Sequence, residues 1–279
     1  MKIAYGTYAT PMLSLEESLE MIKNIGYDGV EICISPKHKS MPEDLDAEKR
    51  DNLKGMLKKM ELGVPALFML GAVLNEDKKI HQERLELAKH VRQLAEDFDL
   101  GDTPVLSVGI GGKSNMWESH RNMLIDLLGD YSKVAEREDF ILAIEAHARA
   151  MVDRSKRAIW VIETADSPNI KLHFDIVHFF LAGEPIAETV HKLVPYTGHT
   201  HITDAKIKEK GFELLLLGQG DLDSVEYVKA MHEAGWDDFI TLEVSTMVWS
   251  KEEYDPVEAA EFSYNSLNEA FKEAGVPRI

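Results

Sequence analysis

Eight short apolar runs alternate with eight longer amphipathic runs from one end of the chain to the other. Parallel strands need a crossover connection, usually a helix, so this strict alternation indicates a parallel sheet. Eight is also the number of strand–helix units that closes a barrel. The predicted strands are residues 2–5, 29–34, 64–70, 105–110, 141–145, 170–175, 197–202 and 239–244. The predicted helices are residues 15–25, 46–61, 77–98, 116–137, 155–165, 186–194, 222–234 and 256–274.

One domain is expected to contain residues 1–279, because no linker, low-complexity tract or composition break divides the sequence. Barrels of alternating strands and helices commonly use this length as a single domain. The alternative is an open, doubly wound sheet, but no G-x-G-x-x-G pattern follows the first predicted strand. We therefore predict an α/β fold, a (β/α)8 TIM barrel. Ser14 and Glu17 predict a capping box at the start of its first helix.

Charge and cysteine content exclude several classes of protein. The formal net charge is -18, and a surface this acidic disfavours binding to nucleic acid or to an anionic membrane. Cys33 is the only cysteine, so no intrachain disulfide and no cysteine zinc site are expected. The sequence begins without a signal-peptide pattern, and its apolar runs are too short to span a bilayer. These features predict a cytoplasmic protein.

Ionisable side chains follow the last four predicted strands, where burial is costly unless something pairs with the charge. Each alone has an ordinary explanation, such as an ion pair between Glu145 and Arg149 or between Glu243 and Lys206. Together they are harder to explain, because the carboxyl ends of barrel strands open into one mouth. Three carboxylates and one imidazole suit a hard or borderline divalent cation, with Mn²⁺ expected first and Mg²⁺, Co²⁺ or Zn²⁺ as alternatives. The predicted metal ligands are Glu145, Asp175, His201 and Glu243.

The motifs around these residues resemble those of the xylose isomerase-like TIM barrels, the sugar phosphate isomerase and epimerase family. They are IEAH at Glu145, FDIVH at Asp175, GHTHITD at His201 and TLEV at Glu243. The segment LLGQGDLD, after the seventh strand, also resembles a loop of this family. The resemblance covers most of the chain. It implies that the four residues bind the metal and that Glu145 and Glu243 also act as acid and base on opposite faces of the substrate.

Further residues are candidates for catalysis or substrate binding. The resemblance implies that His178 touches substrate oxygens beside the metal. His147 lies two residues after Glu145 and is predicted to act as a base or to bind a hydroxyl group. His199 points the same way along its strand as His201 and is expected to support it. The predicted catalytic residues are Glu145, Glu243 and His147, and the predicted substrate-binding residues are His178, His199, Arg149, Lys206 and Trp117.

A metal-dependent sugar isomerase or epimerase is the predicted function. A bound cation polarises a carbonyl, a carboxylate removes the neighbouring proton, and an enediolate results. Ketohexose 3-epimerases of the family carry an Arg six residues after the histidine ligand and a Glu six residues after the first glutamate. Ile207 and Met151 occupy those positions here, which counts against a straightforward ketohexose 3-epimerase.

A lyase on the same barrel is the alternative function. The resemblance includes inosose-type dehydratases and the α-subunits of C-glycoside deglycosidases, which act on 3-keto-glycosides. The expected partner is a small-molecule sugar or keto-glycoside, with assembly into a homo-oligomer. A deglycosidase would instead imply a hetero-oligomer with a small β-type subunit. An endonuclease-like barrel is disfavoured by the acidic charge.

Overall fold

A closed barrel of eight parallel strands forms the centre of the protein, in a computed structural model that describes residues 1–279. The order around the barrel is β1-β10-β7-β6-β5-β4-β3-β2. The predicted single-domain TIM barrel is therefore confirmed. The barrel strands are β1 (Lys2–Gly6), β2 (Gly29–Ile34), β3 (Leu67–Ala72), β4 (Val105–Gly109), β5 (Ile141–Glu145), β6 (Ile170–Asp175), β7 (Thr197–Ile202) and β10 (Phe239–Leu242).

Helices surround the barrel and bury their apolar faces against it in one large core, and Val177, Ala205 and Leu214 form a small separate cluster. The predicted capping box is present: Ser14 Oγ accepts from the Glu17 amide at 3.1 Å, and Glu17 Oε2 accepts from the Ser14 amide at 2.7 Å. None of the helices combines the length and the hydropathy of a membrane span. The helices are α1 (Leu15–Ile25), α2 (Ala47–Met60), α3 (Lys78–Asp97), α4 (Trp117–Glu138), α5 (Ser155–Ala165), α6 (Ile176–Leu181), α7 (Ile186–Leu193), α8 (Ser224–Glu233), α9 (Thr246–Trp249) and α10 (Pro256–Glu273).

Several boundaries differ from the sequence prediction, and two of the differences affect the mouth of the barrel. The strand predicted at 239–244 ends at Leu242, so Glu243 is the first residue of the following loop. The short helix α6 was not predicted. It begins directly after β6 because Asp175 Oδ1 accepts from the Val177 amide at 3.1 Å and caps it.

An antiparallel hairpin follows β7 at the mouth and was also not predicted, since it interrupts the alternation. Its strands are β8 (Asp204–Ile207) and β9 (Phe212–Leu215). The buried Asp204 carboxylate joins this hairpin to the next loop by accepting four backbone hydrogen bonds at 2.8–3.0 Å, from the amides of Ala205, Gly218, Gly220 and Leu222. A Cβ at Gly220 would lie 2.2 Å from Asp204 Oδ1, so the close approach requires glycine.

Replacing Asp204 with asparagine should destabilise this loop. The amide would present N–H groups to backbone N–H donors, and each hydrogen bond to a charged group contributes about 1.5–3 kcal/mol. We expect Asp204→Asn to lower the free energy of unfolding in urea by about 3 kcal/mol and to speed hydrogen exchange at Gly218 and Gly220. Asp221→Asn is the matched control, because Asp221 is exposed and accepts one hydrogen bond, from the Ile207 amide. Equal effects of the two substitutions would contradict this role.

Candidate active site

The four predicted metal ligands converge at the carboxyl ends of neighbouring strands. Glu145 ends β5, Asp175 ends β6, His201 lies in β7, and Glu243 follows β10. One ligand atom of each lies within 4.8 Å of the others. His201 Nδ1 is 3.9 Å from Glu145 Oε1 and 3.7 Å from Glu243 Oε2. The expected convergence is therefore present in the structure.

Glu31 orients the histidine of this cluster. It lies in the middle of β2 and is fully buried. Glu31 Oε2 accepts hydrogen bonds from His199 Nε2 at 2.7 Å and from His201 Nε2 at 2.9 Å. Because His201 donates Nε2–H to this carboxylate, its Nδ1 is the nitrogen that faces Glu145 and Glu243. A carboxylate behind a ligating histidine commonly fixes its tautomer and ring orientation in metal sites.

The electrostatics of the cluster follow from burying several charges close together. Burial raises the pKa of Glu145 well above its ordinary value, and the neighbouring Glu243 raises it further. Burial and Glu243 likewise raise the pKa of Asp175 to about 7. Burial lowers the pKa of His201, but the surrounding carboxylates, Glu31 first, outweigh burial and raise it to about 10. Positive charge at this point therefore stabilises the carboxylates.

A divalent cation fits these donors. His201 Nδ1 and Asp175 Oδ2 are buried and have no hydrogen-bond partner within the protein. Ligands bonded to one cation at about 2.1 Å are separated by roughly 3–4 Å, which matches the distances from His201 Nδ1. A second group, His173, His199 and His201, is also close enough to hold a metal. It fits less well, because Glu31 already occupies Nε2 of both His199 and His201.

Two further histidines lie beside the cluster. His178 in α6 is buried, with Nε2 3.4 Å from Asp175 Oδ2, and its ring centroid is 3.8 Å from that of His147. Burial, followed by the neighbouring His147, holds the pKa of His178 well below its ordinary value, so its ring is neutral. His147 Nδ1 donates to the Ala148 carbonyl at 2.7 Å. In the neutral ring, that hydrogen bond leaves Nε2 of His147 as the acceptor.

A cavity of about 300 Å³ opens over the cluster. Its polar wall contains Glu145, Glu243, His147 and His178, and its apolar wall includes Tyr8 and Phe68. Binding sites for small molecules typically combine an apolar wall with a few placed polar groups. The volume is at the small end of the range for such sites, so the cavity suits a small ligand.

The other predicted substrate-binding residues lie away from this cavity. His199 is buried beneath the cluster, where it bonds to Glu31. Arg149 is exposed on the loop that carries His147 and lines a different cavity, and Lys206 is exposed on the hairpin. Trp117 begins α4 and packs edge-on against Trp160 of α5, with ring centroids 5.1 Å apart.

Glu31 is a residue of this site that the sequence patterns did not indicate. Its signal is a glutamate inside the otherwise apolar strand GVEICI. A buried charge in such a strand requires a partner, but the local sequence gives no indication of which residue across the barrel supplies it. His173 was missed for the same reason; it is fully buried beside His201 and shares a 2.6 Å hydrogen bond with Ser107.

These features define a class of protein: a TIM barrel whose carboxylate and imidazole site lies at the carboxyl ends of its strands. The sequence profile of the xylose isomerase-like TIM barrel family matches residues 19–266. Since the match covers most of the chain, the protein belongs to this family.

Similar proteins include two curated enzymes and a solved structure. Inosose isomerase of Bacillus velezensis is 25% identical over 256 residues, which are 88% of this chain and 88% of that enzyme. Fructoselysine 3-epimerase of Escherichia coli O157:H7 is 22% identical over 263 residues, covering 88% and 91% of the two chains. The crystal structure of IOLI protein with a binding zinc atom matches with a TM-score of 0.78 at 20% identity, covering 98% of this chain and 99% of that chain. The last likeness establishes the fold.

Removing the Glu31 charge should destabilise the metal-free protein. Deleting one partner of a buried ion pair typically costs about 3–5 kcal/mol, so we expect Glu31→Gln to lower the free energy of unfolding by that amount at pH 7. Burial raises the pKa of Glu31, but His201 and His199 outweigh burial and lower it from 4.5 to about 2. A depressed carboxyl pKa adds stability that is complete above about pH 4.5 and is lost as the pH falls toward 2.

The difference between wild type and Glu31→Gln should therefore shrink over that acidic range. Urea titrations in the presence of a chelator at several pH values measure it. Glu20→Gln is the control, because Glu20 is exposed on α1 and its loss should change stability by less than about 0.5 kcal/mol. A difference that stays constant from pH 7 to pH 2 would rule out the ion pair as its cause.

Proposed function

We propose that this protein is a divalent-metal-dependent isomerase or epimerase that removes a proton next to the carbonyl of a sugar-like substrate. The observation that carries the proposal is the convergence of Glu145, Asp175, His201 and Glu243 beneath one cavity. The names of the similar enzymes support it, since inosose isomerase and fructoselysine 3-epimerase are both described as rearranging sugar-like compounds.

The donor set determines the metal that we propose. Three carboxylates and one imidazole favour a hard or borderline cation, and Mn²⁺ is our first choice ahead of Mg²⁺, Co²⁺ and Zn²⁺. A cation bound there would polarise the substrate carbonyl and stabilise the negative charge that proton removal creates.

The remaining steps belong to side chains of the protein. Glu145 and Glu243 line the cavity, and each presents a carboxylate that can accept a proton from the carbon next to the carbonyl. We assign them opposite faces of the substrate, so that one removes the proton and the other returns it. His178 is neutral and orients a substrate oxygen, while His147 Nε2 accepts a proton or a hydroxyl hydrogen bond at the cavity wall.

The substrate of this site differs from that of a simple ketohexose 3-epimerase. Met151 is fully buried and Ile207 lies on the hairpin, so neither offers the charged group that the epimerase pattern carries there. A lyase would share the proton-removal step and differ only in the product.

Metal binding tests the ligand assignment. We expect calorimetry to find one divalent ion bound with micromolar or tighter affinity, and Asp175→Asn to weaken binding at least about 100-fold by removing an anionic ligand. Asparagine is an equally good helix cap, so this substitution should leave α6 folded. Asp126→Asn, at an exposed position on α4, is the control and should bind the metal normally. Undiminished binding by Asp175→Asn would contradict the assignment.

Solvent exchange tests the reaction. In heavy water, we expect the metal-loaded protein to place deuterium next to the carbonyl of a keto sugar and to release an isomeric sugar. Glu145→Gln and Glu243→Gln should each slow exchange at least about 1,000-fold, because an amide cannot accept the proton. His191→Gln, exposed on α7, is the control. Release of water or of an aglycone in place of an isomer would favour the lyase alternative.

A further inference from the structure

A second cavity, of about 420 Å³, lies beside the first. The loop after β5 and the β8–β9 hairpin contribute to both. His147 and Leu214 line the first cavity, whereas Arg149 and Phe212 line the second. The same loop and the same hairpin therefore line both cavities, and Arg149 and Phe212 are each two residues from a residue that lines the first.

Arg149 is an arginine without a partner. Its guanidinium lies 4.2 Å from the centre of the Phe212 ring and forms no ion pair or hydrogen bond. Every other arginine in the chain forms an ion pair with a carboxylate or donates to a carbonyl oxygen. Its backbone also has a positive φ of 68°, a conformation that is uncommon for a residue with a side chain. Stacking on Phe212 holds the cation in place and leaves its N–H donors available.

The surrounding charges favour an anion. Arg154 and Arg157 share the single carboxylate of Asp153, at 2.8 and 3.0 Å. With Arg149, these side chains place three arginines against two carboxylates, Asp153 and Glu184, at this edge of a protein whose net charge is -18. The neighbouring Ile207 is neutral and 55% exposed, so the hairpin adds no charge at that point. The charge is therefore locally positive, whereas the net charge of the protein is negative.

We propose that Arg149 binds an anionic substituent, a carboxylate or a phosphate, at the end of the substrate remote from the reacting carbonyl. The inference rests on the proposed function for the position of that carbonyl. The planar guanidinium suits both anions, since it can donate two parallel hydrogen bonds to either. The substrate class is then an acidic or phosphorylated keto sugar. Arg149 would then distinguish anionic from neutral substrates. The ketohexose 3-epimerase pattern has its arginine at the position of Ile207 instead.

A purely structural role for Arg149 makes a different prediction. If its only task were to hold Phe212 and the hairpin, its loss would weaken the binding of neutral and anionic sugars alike. If Arg149 binds an anion, its loss changes the ratio of the affinity for anionic sugars to the affinity for neutral sugars. That ratio should also fall with added salt, because exposed charges are screened over about 10 Å at 0.1 M ionic strength.

The test compares three ligands on Mn²⁺-loaded protein at low ionic strength by calorimetry: D-fructose, D-fructose 6-phosphate and 5-keto-D-gluconate. We expect the wild type to bind at least one of the anionic ligands about tenfold or more tightly than fructose, and the stronger of the two identifies the anion. Arg149→Gln should remove this preference and leave the fructose affinity unchanged. Arg149→Lys should keep part of it, and Arg137→Gln, at an exposed position on α4, should keep all of it.

Three results would overturn the inference: equal affinities in the wild type, no binding of any of the three, or a preference that survives Arg149→Gln. Calorimetry reports the relative affinities whether or not a ligand reacts, so the outcome is separate from that of the exchange experiment. A preference that depends on Arg149, found without deuterium exchange, would retain the anion site and reject the proposed reaction. Deuterium exchange without such a preference would retain the proposed reaction and reject the anion site.

Discussion

The buried carboxylate of Glu31 is the interaction on which the rest of the site depends. Its strand, β2, is separated from β7 by β1 and β10 around the barrel, so its hydrogen bonds to His199 and His201 cross the interior. A charge with no access to water is tolerated only when it is paired and hydrogen-bonded. Pairing therefore fixes both rings, and only then does His201 Nδ1 point toward Glu145 and Glu243.

Much of the fold and part of the site could be predicted from the sequence. The alternation of strands and helices is a repeating local pattern, and eight repeats are enough to indicate a closed barrel. The position of Glu145 at the end of β5 and of Asp175 at the end of β6 follows from the same pattern. Because the barrel brings all such strand ends to one mouth, the convergence of these carboxylates required no knowledge of particular contacts.

The remainder depends on contacts that are distant in sequence. Nothing in the sequence near Glu31 indicates that its partners lie about 170 residues away, as the separations of 168 and 170 show. The hairpin after β7 could not be predicted from the helical period, because backbone donors to Asp204 determine its position. Trp117 was predicted to bind substrate, yet it begins α4 and packs against Trp160. The direction of such a side chain is determined by its neighbours in the folded structure, which local sequence patterns do not indicate.

The two halves of the barrel contribute differently. The carboxylate and imidazole cluster comes from β5, β6, β7 and the residue after β10, whereas Tyr8, Phe68, Leu70 and Ile110 come from or follow β1, β3 and β4 and form the opposite wall of the cavity. As long as Glu31 is kept, sequence change in the first half of the chain can therefore reshape the space offered to a ligand while the cluster stays in place. Such a division allows related proteins to evolve different ligand preferences while they keep the same cluster of carboxylates and imidazole.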